Sequence, residues 1–171
     1  MTEKSTQLAL SHALNLCQGH AQPLLEALAD LQQAKLSSSD LEHVSKQQRR
    51  LLDQFAYRYT RLQDDLGARL MPAVLQALGE DIAPMPMIDR INRLEQLNWL
   101  PSAEEWADLR RIRNEFAHDY PESADERYAR LQMAMDAATR LLVILDQFAT
   151  KARERFARSS SVDTNRYIPK S

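Results

Sequence analysis

Residues 51–70 read LLDQFAYRYTRLQDDLGARL, and the fold class turns on the spacing of their apolar members. Leu51, Leu52, Phe55, Tyr59, Leu62, Leu66 and Leu70 recur about every three or four positions, which lines them along one stripe of an α-helix and would scatter them over both faces of a strand. With Leu41 and Val44 ahead of them, they predict one long helix from about Asp40 to Leu78. Ser39 and Glu42 are spaced as a capping box for its start, and Pro72 predicts a bend near its end.

The flanking sequence has the same character. Leu8, Leu14, Leu16, Leu24, Leu25, Leu28 and Leu31 predict a first helix over about Ser5 to Leu36, kinked or interrupted at Pro23 and closed by the SSSD run at 37–40. Gly79 and the IAPMPM segment break the pattern, and Ile88, Ile91, Leu94 and Leu97 resume it from Met87 to Asn98. Ser102 with Glu105 opens a fourth helix carrying Trp106, Leu109, Ile112 and Phe116, which is expected to stop near Tyr120 ahead of Pro121. Ser123 with Glu126 opens a last helix running to about Ala157 through Leu131, Met135, Leu141, Leu142, Leu145 and Phe148. The expectation is an all-α fold, an antiparallel bundle of four to five helices forming one domain over 1–157, with a flexible polar tail over 158–171.

Composition agrees. The 171 residues suit one domain with a proper core, and only 3 glycines leave few turn residues for hairpins. A net charge of −2 supplies no global field for nucleic acid, so any such contact needs a local basic patch. Cys17 stands alone, which excludes an internal disulfide or a multi-cysteine zinc site. The polar N-terminus does not read as a signal peptide, and no apolar run nears the ~20 residues of a membrane span. The chain is expected to be soluble and cytoplasmic, with no membrane partner, cofactor or metal.

One stretch is denser in reactive groups than the rest: RRIRNEFAHDYP, residues 110–121. On a regular helix Asn114 and His118 share a face, with Arg111 nearly in line two turns earlier, whereas Arg113 lies about 140° away from His118. Arg113 and His118 therefore converge only if the helix bends or two copies of the chain face one another. Histidine can take and return a proton near neutrality, and arginine forks suit phosphate oxygens. These groups could cleave RNA without a metal: His118 would work on the ribose 2′-hydroxyl or the leaving oxygen, and Arg113 would steady the charge on phosphorus. By residue type alone, the commoner outcome is a solvated, salt-bridged face with an incidental histidine.

The run Arg113-Asn114-Glu115-Phe116-Ala117-His118-Asp119-Tyr120, R-N-x-x-x-H-x-Y, resembles the signature of the HEPN superfamily, and its tyrosine extension resembles the HepT-like toxins. The resemblance implies a small helical bundle, a homodimer, and an endoribonuclease in which Arg113 and His118 are the catalytic pair and Asn114 supports them. It also implies the toxin half of a toxin–antitoxin pair, with Tyr120 accepting nucleotide groups from a partner minimal nucleotidyltransferase that acts as antitoxin. An alternative is a non-catalytic HEPN-fold subunit that presents substrate or its tyrosine to that enzyme. The chain has none of the glycine–serine and paired-carboxylate features of the nucleotidyltransferase itself.

Elsewhere, Tyr57, Arg58, Tyr59 and Arg61 interleave aromatic and basic groups. Packing of Tyr59 inward with arginines outside is the simpler reading, although Arg58 could reach the same cleft as His118. His12 and His20 read as solvated, and Cys17 as a small buried residue.

Overall fold

The computed structural model of the protein describes residues 2–118 and 123–162, with side chains as far as Ala157. Its helices are α1 (Glu3–Ala34), α2 (Lys46–Asp65), α3 (Met71–Ala77), α4 (Met87–Gln96), α5 (Ala103–Ala117) and α6 (Ala124–Val162), and no strand occurs among the described residues. The all-α expectation holds.

Several boundaries differ from the sequence reading. α1 runs through Pro23 without interruption, since Leu24, Ala27, Leu28 and Leu31 beyond the proline are buried and hold the helix in place. Ser39 does not open the second helix. The carboxylate of Asp40 instead accepts the Ser37 backbone N–H at 2.8 Å and its hydroxyl at 3.0 Å, which ties residues 37–40 into a local turn and holds Asp40 below the usual carboxylate range. The capping box forms later, where Ser45 Oγ accepts the Gln48 N–H at 3.1 Å and Gln48 Oε1 accepts the Ser45 N–H at 3.0 Å. α6 continues past Ala157 to Val162.

Between α2 and α3 the chain stays helical but widens to a π turn over Leu66–Leu70, with the Met71 N–H bonded to the Leu66 carbonyl. Pro72 explains it: the ring has no N–H to give and crowds the carbonyl four residues back, so the preceding turn expands. Gly67 lies in that turn, and a Cβ there would come within 3.1 Å of the Trp106 ring on α5. After Gly79 (φ 85), Arg90 donates to the Met85 and Ile82 carbonyls at 3.0 Å each, so the proline-rich break is stapled to the start of α4.

α1 packs on α2 and α3, and α6 closes against α5, α1 and α2. The expected stripe of 51–70 faces inward, with Phe55, Tyr59, Leu62, Leu66 and Leu70 fully buried. Phe55 and Tyr59 stack at 5.5 Å, and Phe116 of α5 meets both edge-on at 5.7 and 5.6 Å. That cluster fixes the motif helix against α2. At its other end, Arg140 of α6 donates to Glu105 at 2.7 Å.

Candidate functional site

α5 starts on Ser102, whose hydroxyl accepts the Glu105 N–H at 3.1 Å; the Glu105 side chain is taken by Arg140, so only half of the expected box forms. The helix ends at Ala117, earlier than expected, and His118 adopts extended backbone (φ −73, ψ 131). His118 is therefore the residue that leaves the helix, and its side chain is exposed.

Five residues of the stretch come together. Arg110, Arg111, Asn114, Glu115 and His118 line one open groove of about 700 Å³ between α4 and α5, with Ile88, Glu104 and Trp106 also in its wall. Arg113 is not among them. It points to a smaller neighbouring pocket of about 280 Å³, bordered by Gln63, Asp64, Gly67, Trp106, Arg110 and Asn114. Arg113 and His118 thus line different depressions, whose walls share Met87, Trp106, Arg110 and Asn114.

Electrostatics on this face are mixed. Arg113 Nη2 lies 2.8 Å from Asp64 Oδ2 of α2, and Arg111 bonds Glu115 at 3.1 Å and approaches Asp108 at 3.8 Å. These are the neighbour pairings expected of a plain structural face. All are partly exposed, so each contributes only about 0–1 kcal/mol and yields readily to a phosphate offering a bidentate contact. A wider trough of about 1250 Å³ continues from Asn92 and Glu104 towards Trp99 and Lys151, but Glu95, Glu104 and Asp146 make that end unfavourable for a polyanion.

Arg58 is placed elsewhere. Its guanidinium lies 3.4 Å from His20 Nδ1 and 5.3 Å from the Tyr57 ring centre, and it is not in the wall of the His118 groove. His20 is not solvated: it is 8% exposed, and its Nε2 lies 2.9 Å from Asp65 Oδ2. A guanidinium can only donate, so Nδ1 accepts from Arg58 and Nε2 carries the proton given to Asp65. The partner is 45 positions away, which no local pattern reveals. Cys17 is fully buried, as read, and burial with the nearby Asp65 charge pushes its thiol up to about 12. Tyr120 lies outside the described residues.

Sequence reasoning missed Arg110, Gln63 and Asp64. Arg110 was legible, being four residues before Asn114 on the same helix; the other two belong to α2 and carry no local signal. Among the described residues no three histidine, cysteine or acidic side chains gather as a metal site, and no helix is long and apolar enough to cross a membrane. Comparison with known protein families, curated proteins and solved structures finds no match to this chain.

Proposed function

We propose that the chain is a metal-independent endoribonuclease of the HEPN type, acting as a homodimer, and the toxin of a pair whose antitoxin is a nucleotidyltransferase that modifies Tyr120. The observation that carries this reading is the R-N-x-x-x-H-x-Y motif placed so that Asn114 and His118 share an open groove flanked by Arg110 and Arg111. In the proposed reaction His118 withdraws the proton of the ribose 2′-hydroxyl. The 2′-oxygen then bonds to phosphorus, the bond to the 5′-oxygen breaks as the protonated His118 of the facing chain gives that oxygen its proton, and a cyclic phosphate and a 5′-hydroxyl result. Arg113 from the facing chain steadies the charge on the phosphoryl oxygens. The division between two chains is proposed because within one chain Arg113 and His118 line different depressions. The exposed Met87 and Ile88 near the groove offer the apolar contact for it.

The second reading, a non-catalytic subunit serving the nucleotidyltransferase, is favoured by the Arg113–Asp64 pair, which leaves Arg113 engaged and apart from His118. Expression of the wild type and of His118→Ala, each without any partner, separates the two. RNA cleavage and growth arrest by the wild type, both abolished in a folded His118→Ala, support the nuclease. Equal silence of the two proteins removes it and leaves the binding subunit.

A further inference from the structure

Five buried side-chain polar atoms lack a hydrogen-bond partner among the described residues, and four of them belong to Tyr59, Gln63 and Arg113. Tyr59 and Gln63 are one turn apart on α2, and the Arg113 charge acts on the Tyr59 hydroxyl from α5. A buried polar group without a partner carries its full desolvation penalty, so three such residues in one place call for an explanation. Gln63 is 3% exposed, both its amide oxygen and its amide nitrogen are unpartnered, and it lines the pocket of about 280 Å³ beside Arg113. The partly exposed Asp64 of the same wall holds the Arg113 guanidinium, which a phosphate would have to draw away. Gly67 of the π turn and the ring of Trp106 also line that pocket. Widened turns of this kind recur at functional sites.

We propose that this pocket receives a single unstacked nucleobase, read by the Gln63 amide, with Arg110 and Arg113 facing the attached phosphate. The choice of a base follows from the donor inventory. An amide presents a donor and an acceptor side by side, whereas a phosphate offers only acceptors and would leave the Gln63 oxygen unpaired. Base edges present both kinds of group, and the buried Trp106 ring gives the base an apolar wall. The outermost glutamine torsion is soft, so the amide can turn from the wall into the pocket. Arg113 Nε, buried without a partner, supplies a further donor on the same side. The proposal rests on the ribonuclease reading for its substrate, RNA, and adds to it a pocket that selects the base next to the reacting phosphate.

The test uses the full chain and the indole N–H resonance of Trp106, assigned with a Trp99→Phe variant, during separate titrations with AMP, GMP, CMP, UMP and inorganic phosphate. The expected result is a Trp106 shift whose midpoint differs by roughly tenfold or more between nucleotides, absent with phosphate alone and lost in Gln63→Met. Equal responses to all four nucleotides and to phosphate mean simple anion binding and overturn the proposal. So does an absent response, or a preference unchanged in Gln63→Met. Base-dependent binding by a chain that cuts no RNA keeps the pocket and removes the nuclease, and His118-dependent cleavage without base-dependent binding does the reverse.

Discussion

Arg113 of α5 reaches α2 and holds its Nη2 2.8 Å from Asp64 Oδ2, with 23% of the arginine and 52% of the aspartate side chain exposed. The pair ties the motif helix to α2 from the outside, while Phe116 ties it from within. Because the pair is partly solvated, Asp64→Ala should cost no more than about 1 kcal/mol. It also frees a guanidinium for phosphate. The expected outcome is a small drop in urea midpoint together with tighter RNA binding, read by fluorescence anisotropy at fixed salt. Weaker RNA binding in a folded Asp64→Ala would show that Arg113 does not face the nucleic acid.

The inner tie is stronger. Phe116 packs edge-on against two buried rings, and truncating it opens a gap that the stacked Phe55 and Tyr59 cannot fill without leaving their rotamers. Phe116→Ala should cost about 3 kcal/mol, at the low end for a phenylalanine because Phe116 is only partly buried. Hydrogen exchange should show α5 opening first in that variant. Uniform loss of protection across all the helices would mean that α5 is not a separable unit.

The periodicity in 51–70 was enough to give the buried face of α2, because a helix of that length hides only the residues that recur with its turn. Its start was misread for a physical reason. Ser39-x-x-Glu42 and Ser45-x-x-Gln48 carry the same capping chemistry, and only the competing Asp40–Ser37 bonds decide against the first. The stretch 110–118 stood out by its reactive side chains, and helix geometry already set Arg113 apart from His118, which lines a different depression. What lay out of reach were contacts across long separations. His20 and Asp65, or Arg113 and Asp64, meet only after α1, α2 and α5 have packed, so the burial of His20 and the engagement of Arg113 had no signature in either segment.

Gln63 illustrates a local choice that costs stability. Methionine has nearly the same shape and no polar atoms to satisfy, so Gln63→Met should stabilise the chain in the absence of any ligand by about 1–2 kcal/mol. Thermal unfolding of the two proteins checks this. A less stable Gln63→Met would mean that the amide has bonding partners in solution that compensate its burial.

Ile88 is 69% exposed at the start of α4, beside the groove that holds His118. An isoleucine so placed contributes little to the monomer's own core, so Ile88→Glu should leave the unfolding midpoint of the isolated chain within about 0.5 kcal/mol of wild type. In the proposed dimer the same change buries a charge against its own copy, which should shift sedimentation from dimer to monomer and abolish RNA cleavage together. Monomeric behaviour with cleavage retained would place the whole reaction within one chain.

Alkaline titration should expose the buried acids of the α1–α2 interface. Cys17 is held as a thiol mainly by burial and secondarily by Asp65, and burial pushes the Tyr59 hydroxyl in the same direction. Both groups keep in the folded chain a proton that the unfolded chain gives up, the thiol above its ordinary 9.0 and the phenol above 10.0. Their stabilisation is therefore whole below 9.0 and is lost as pH rises, over a range that for Cys17 extends to about 12. Urea midpoints should fall between about pH 9 and about pH 10.5, less steeply in Cys17→Ala, which has no thiol to ionise when unfolded. Under native conditions near neutrality Cys17 should resist iodoacetamide until urea unfolds the chain. Rapid labelling of the folded protein would show that α1 opens locally far more often than its buried face allows.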